Sequence, residues 1–160
     1  MDELIFIGKT VSTHGIKGEL KVISDFEYKD KAFVIGNFIM INNILHTITS
    51  IRYHKQYILM TIDSIYDIND IQDFIGYNIY IKKSDLKLKE SEYLLKDLKD
   101  KKVFLDNKEV GKVIEVINGV NCNYIRVSSD KDFLIPLIDV YIVSIDDSGI
   151  YTKDIDTLKI

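Results

Sequence analysis

The residues best suited to chemistry gather in one short segment, His14-Gly15-Ile16-Lys17-Gly18-Glu19, where an imidazole, an ammonium and a carboxylate surround two glycines. Gly15-Ile16-Lys17-Gly18 spells the GxxG of loops that clamp a nucleic-acid backbone. In those modules the loop joins two helices, whereas apolar alternation on both sides of this one predicts strands. The glycines are therefore assigned first to a strand connection that needs unusual backbone angles. Gly8-Lys9-Thr10 ends like a phosphate-binding P-loop, but that pattern requires a glycine at position 3, where Glu3 stands, and a helix after the loop. Among His14, His46, His54 and Cys122 no pair has the short spacing of a zinc site, so no metal and no cofactor is expected. Asp146-Asp147 precede Ser148-Gly149 and read as turn formers; Cys122 sits between two asparagines as a turn or strand-start residue. No set of residues spells a catalytic constellation, and the chain is not expected to be an enzyme.

A second segment, Tyr93-Leu94-Leu95 followed by Asp97-Leu98, follows a polar stretch. Such a trio is either an anchor into its own domain or an exposed interface, since tyrosine adds rigid contact area with a polar tip. Both readings stand at this point.

The elements that must position these residues are mostly strands. Met1–Val11, 18–24, 38–41, 44–48, 57–62 and 77–81 alternate apolar and polar residues, and Asn42-Asn43 suits a tight hairpin turn. One helix is predicted after Asp67 as N-cap, with Ile68, Ile71 and Ile75 on one face and Gly76 at its end. Residues 84–91 read as a linker. Beyond it, strands recur at 103–105, 110–117, 124–127, 133–137, 140–145 and 150–152, with turns between them. The expected organisation is a first β-domain over 1–83, the linker over 84–91 and a second β-domain over 92–160.

Composition agrees. The 160 residues include 28 Ile, 11 Val and 7 Thr against a single alanine, Ala32, which excludes a helical bundle. With 19 Lys and 2 Arg, part of that isoleucine count reflects an AT-biased codon set. Net charge is −4, so neither half is a basic nucleic-acid clamp, and an acidic surface suits a basic protein partner. Acidic residues directly after Met1 do not read as a secretory signal, and the longest apolar run, 33–41, is far short of the roughly 20 residues that span a bilayer. A cytoplasmic chain with no membrane contact and one unpaired cysteine is expected.

Residues 8–22 resemble the N-terminal signature of the RimM family of ribosome maturation factors: a glycine, a short strand, then His14-Gly15-Ile16-Lys17-Gly18-Glu19 and an apolar strand. Asn69–Ile81 is similar to the end of the same family domain. The second half resembles the family's PRC-barrel: Glu92–Leu98 matches its Tyr-Tyr-x-x-Asp-Leu opening, Val110-Gly111-Lys112-Val113 its Gly-x-Val strand, and Leu134-Ile135-Pro136 its apolar-apolar-Pro strand. The chain departs from the pattern at Leu94, where the family has a second tyrosine, at Asp100, where a glycine is usual, and in a longer turn at 119–123.

The resemblance implies a mainly β fold of two small β-barrels, an N-terminal translation-type six-stranded barrel and a C-terminal PRC-barrel. It also implies a non-enzymatic assembly factor. Such a factor would bind small-subunit ribosomal protein S-nineteen and help the head of the immature 30S subunit, with its 16S rRNA, to mature. Tyr93, Leu94, Leu95, Asp97 and Leu98 would form the ribosomal-protein contact. His14, Lys17 and Lys21 are candidates for rRNA or immature-subunit contact. Gly15, Gly18, Gly111 and Pro136 are expected to be structural turn residues, and the protein is expected to be a monomer. The competing reading is an RNA-binding β-barrel module that acts without a protein partner.

Overall fold

A computed structural model describes residues 2–89 and 92–159. Met1, placed in the expected first strand, and residues 90 and 91, placed in the expected linker, lie outside the described residues. The chain divides into two compact units, Met1–Lys87 and Leu88–Ile160.

The first unit is a closed barrel. Strands β1 (Leu4–His14), β2 (Glu19–Ile23), β3 (Phe38–Ile41), β4 (Ile44–His54), β5 (Tyr57–Ile62) and β6 (Asn78–Lys82) pair in the order β1-β2-β5-β4-β3-β6, all antiparallel. Closure works because β1 changes partner along its length. It pairs with β6 up to Lys9 and with β2 from Lys9 onward, and the register shifts at Phe6/Gly8 and Thr10/Ser12. Such bulges add the bend that lets a short sheet meet itself. Inward alternation buries Ile5, Ile7, Leu20, Val22, Ile39, Ile41, Ile58 and Ile79 almost completely, each burial worth roughly 1.5–3 kcal/mol. Asn42 and Asn43 take φ of 52° and 65° between the paired Ile41 and Ile44, the tight hairpin turn that their side chains suit.

The helix expected after Asp67 is absent. Residues Ile68–Asp70 and Gln72–Phe74 form two separate 3-10 turns. The Asp67 side chain does cap, accepting the Asn69 N–H at 2.9 Å, but only Ile71 between the turns is buried. Thr10 draws the chain away from a longer helix. Its hydroxyl donates to the Phe74 carbonyl at 2.5 Å, and its carbonyl accepts the Gly76 N–H at 2.8 Å. The one α-helix among the described residues is a single turn, α1 (Lys29–Ala32), that apolar periodicity did not signal. It buries Ala32, and the Asn37 amide donates to the carbonyls of Lys31 and Ala32 at 2.9 and 3.0 Å.

The second unit is a six-stranded curled half-barrel of strands β7 (Lys102–Leu105), β8 (Lys108–Asn118), β9 (Asn123–Val127), β10 (Phe133–Pro136), β11 (Ile142–Asp146) and β12 (Gly149–Thr152), ordered β10-β9-β8-β7-β12-β11. Only β12 and β7 run parallel. The long β8 supplies the curl: Lys108–Lys112 pair with β7, and Val113–Asn118 pair with β9. Leu98, Val103, Val113, Ile125, Val127, Ile135, Ile150 and Ile155 form its core. The fold is thus mainly β, as expected; of the two barrels expected, the first closes and the second is a curled six-stranded sheet with β10 and β11 at its edges.

Candidate functional site

The segment singled out by sequence is the connection from β1 to β2. His14 ends β1 opposite Glu19, the first residue of β2, and residues 15–18 turn between them. Gly15 and Gly18 both take left-handed backbone, φ 65° and 82°. At Gly18 a Cβ would also lie 2.5 Å from the Ile65 carbonyl oxygen, so no side chain fits where the loop crosses residues 65–67. The Ile16 carbonyl accepts the Ile68 N–H at 3.3 Å, which fixes the loop to that crossing. Lys17 and Ile16 project into solvent, Ile16 with 77% of its surface exposed.

Strand register extends this loop into a face. Ser12, Lys21, Leu59 and Arg52 lie opposite one another in sequence across β1, β2, β5 and β4, and His54 lies opposite Tyr57. Opposed residues share a face, so His14, Glu19, Lys21, Tyr57, Arg52 and His54 all sit on the outer wall. Arg52 grips Glu19 with Nε and Nη2, each 2.8 Å from a carboxylate oxygen. That fork holds the Glu19 carboxyl below its usual range, with smaller help from His14 and Lys17. Lys21 Nζ stands 4.7 Å from the Tyr57 ring centroid, and the rings of His14 and His54 are 5.1 Å apart. Desolvation first, then the charges of His14, Lys55, Arg52 and Lys21, push the His54 imidazole down. Sequence reading singled out His14, Lys17 and Lys21; the structure places Arg52, His54, Lys55 and Tyr57 beside them. The period-two offset of Arg52 and His54 was a visible signal, but only pairing with β5 brings it beside β2.

Elsewhere on the barrel, Phe6, Tyr80, Met40 and Leu45 oppose one another across β1, β6, β3 and β4 as an apolar outer row. Phe6 and Leu45 are about half exposed.

In the second unit the five predicted contact residues divide. Leu94 and Leu98 are buried, at 1% and 0% exposure. Tyr93 and Leu95 are half-buried and pack against the core with their remaining surface outward. Asp97 is half-buried beside Lys96, 3.5 Å away. Tyr93, Leu95 and Asp97 keep part of their surface exposed, whereas Leu94, which stands at the family's second tyrosine, is buried and anchors this segment. Tyr93 lines a groove of about 430 Å³ with Leu137, Ile138, Asp139, Ile142, Val143 and Ile145. Val143, on the edge strand β11, is 61% exposed.

Gly111 lies within β8 and not in a turn; a Cβ there would meet the Ser128 carbonyl oxygen at 1.9 Å, where β8 crosses from one partner to the other. Pro136 ends the edge strand β10, a place that tolerates the missing N–H. Asp100 takes φ of 70°, which explains why glycine suits this position in the resemblance.

The remaining candidates are structural. His46 is buried with Nδ1 2.5 Å from Asp63, its ring edge-on to Phe74, and Thr47 N–H donates to the other Asp63 oxygen at 2.8 Å. Cys122 hydrogen-bonds Tyr124 and raises its phenol. Asp146 Oδ1 accepts the N–H of Ser148 and of Gly149, which makes it a turn former. No group of three or more His, Cys, Asp or Glu residues is placed to hold a metal among the described residues. No helix among them is long and apolar enough to cross a membrane.

One β unit carries basic side chains on its outer wall and the other a groove of mixed apolar and polar lining. The family model "RimM N-terminal domain" matches residues 5–86. The ribosome maturation factor RimM of Staphylococcus haemolyticus is 34% identical over 148 residues, covering 88% of each chain, and that of Exiguobacterium sibiricum is 33% identical over 151 residues, covering 90% of this chain and 89% of its own. The solution structure of the N-terminal domain of RimM from Thermus thermophilus covers 52% of this chain and 94% of that one, with 14% identity and a TM-score of 0.46. The chain belongs to the ribosome maturation factor RimM family.

Proposed function

We propose that this chain is a non-catalytic, monomeric assembly factor of the cytoplasm that binds ribosomal protein S-nineteen with its second unit. Its first unit then meets the immature head of the 30S subunit and its 16S rRNA. The observation that carries this reading is the family relationship, which spans both units. The groove at Tyr93 supports the protein contact: apolar Ile138 and Val143 flank the carboxylate of Asp139, a combination that suits a basic partner with an apolar anchor. The cationic wall and the apolar row of the barrel support contact between the first unit and the subunit. Such a factor needs no bond chemistry. It needs tighter binding to the immature head than to the mature one, so that completed assembly releases it.

The test is retention of purified small-subunit proteins, one at a time, on the immobilised full-length chain. S-nineteen is retained and the others pass. Tyr93→Ala with Val143→Lys weakens retention by about 1–3 kcal/mol while far-UV circular dichroism stays unchanged. Failure to retain S-nineteen, or equal retention by the double variant, contradicts the reading.

A further inference from the structure

The sheet of the second unit has two ends, and they differ. At one end β10 finishes in Pro136, which has no N–H to offer, and the 3-10 turn Ile155–Leu158 lies against the strand. At the other end β11 pairs only with β12 among the described residues, so its outer row of N–H and C=O groups meets no strand. The register shifts between Ile142 and Ser144, leaving Val143 as an extra residue with 61% of its surface exposed. Ser144 stands opposite Tyr151, while Ile142 and Ile145 pack against the core. The Ile142 N–H donates to the Ile138 carbonyl at 3.0 Å, and the Asp146 carbonyl accepts from Lys101 Nζ at 3.0 Å, so the open stretch of the edge is 143–145.

The groove shares this stretch: Val143, Ser144 and Ile145 line it together with Leu137, Ile138 and Asp139. A strand laid beside β11 bonds its backbone to 143–145 and sets every second side chain over that lining. The lining is mainly apolar, so those side chains are apolar. The charge nearby is acidic: Asp139 lies in the groove, Asp146 and Asp147 end β11, and residues 88–160 carry 11 Lys and Arg against 14 Asp and Glu. A second copy of this chain would bring the carboxylates of its own β11 to these, and an RNA would bring phosphates, so neither suits the edge. We propose that an extended basic segment of the partner protein adds to this sheet beside β11 as a further strand, with its apolar side chains in the groove and its cations toward Asp139, Asp146 and Asp147. The inference rests on the S-nineteen reading and deepens it from a surface to a mode of binding, in which backbone pairing holds the segment and alternate side chains select it. The bulge at Val143 and the short open stretch keep flat edges of other chains from pairing there.

The experiment follows amide hydrogen exchange of the full-length chain by nuclear magnetic resonance, alone, with purified S-nineteen, and with a short peptide that alternates lysine and valine. Strand addition slows exchange of the outward amides within 143–145 by about tenfold or more when either probe is bound. In the peptide the valine amides point to one edge of the strand and the lysine amides to the other. N-methylation of the set that faces β11 therefore weakens binding about tenfold or more, whereas N-methylation of the other set changes it little. A peptide that alternates glutamate and valine does not bind. Unchanged exchange at 143–145 with S-nineteen bound overturns this inference and leaves the protein-partner reading standing. Slowed exchange with the lysine–valine peptide but no retention of S-nineteen supports the inference and contradicts that reading. Equal loss from both methylations, equal binding of the glutamate–valine peptide, or a dimer of the chain alone whose β11 amides are already protected overturns the inference.

Discussion

Replacing each glycine of the β1–β2 loop by alanine separates backbone strain from lack of space. Gly15 and Gly18 lie three residues apart, both left-handed at φ 65° and 82°. A Cβ at Gly15 meets nothing within 4 Å, whereas one at Gly18 would sit 2.5 Å from the Ile65 oxygen, 2.9 Å from Tyr66 Cα and 3.0 Å from the Asp67 nitrogen. Gly15→Ala therefore costs only the left-handed conformation, about 1–2 kcal/mol. Gly18→Ala carries the same cost and must also push residues 65–67 away. That displacement threatens the Ile68 N–H bond to Ile16 and the Asp67 cap on Asn69, adding about 1–3 kcal/mol for a lost hydrogen bond. Gly15→Asn is close to neutral, because asparagine tolerates this region. The chain has no tryptophan, so urea unfolding is followed by far-UV circular dichroism. With m of about 1–3 kcal/mol/M, the midpoint of Gly18→Ala falls at least about 0.3 M below that of Gly15→Ala. Equal midpoints, or a larger loss at Gly15, would refute the claim that packing against residues 65–67 fixes the loop.

Three further outcomes follow from other contacts. Gly111→Ala costs about 3 kcal/mol in the second unit, since its Cβ would strike the Ser128 carbonyl and no flexible side chain can yield; an unchanged urea midpoint counts against the β8 crossing described above. Asp63→Asn destabilises by about 1–3 kcal/mol because it weakens the bond to buried His46, and adding His46→Leu recovers part of that loss by removing the stranded imidazole; a double variant worse than the single one contradicts the pairing. Arg52→Ala lowers stability only slightly at neutral pH, because the guanidinium is exposed and its bond to Glu19 is screened by solvent. Because Arg52 lowers the folded-state pKa of Glu19, that contribution is present above the ordinary carboxylate range and fades as pH falls through the Glu19 value; a difference that persists at pH 2 speaks against it.

Strand positions were legible wherever alternation met a turn residue with its own mechanism. Asn42-Asn43 marked a hairpin, and 38–41 and 57–62 matched β3 and β5 to the residue. The helix expected at 67–76 failed for a tertiary reason: three isoleucines had helical spacing, but Thr10, some sixty residues earlier, holds the carbonyl of Phe74 and the N–H of Gly76. The single turn at 29–32 was invisible because one buried alanine and a distant Asn37 cap make no periodic pattern. At the candidate site the loop could be read from its glycines. The wall around it could not, since Arg52 and His54 reach Lys21 and His14 only through the register of β4 on β5 and β5 on β2. Burial also divided Tyr93-Leu94-Leu95, where spacing left anchor and interface equally open: Leu94 is the anchor, and Tyr93 lines the groove.

The central claim is that this protein acts by preferring an unfinished small subunit. Co-sedimentation of the full-length chain with immature and with mature 30S particles, at matched concentration and salt, tests it directly. The protein travels with the immature particles and stays at the top of the gradient with mature ones. Equal association with both would contradict the account, because a factor without differential affinity cannot favour maturation and then leave.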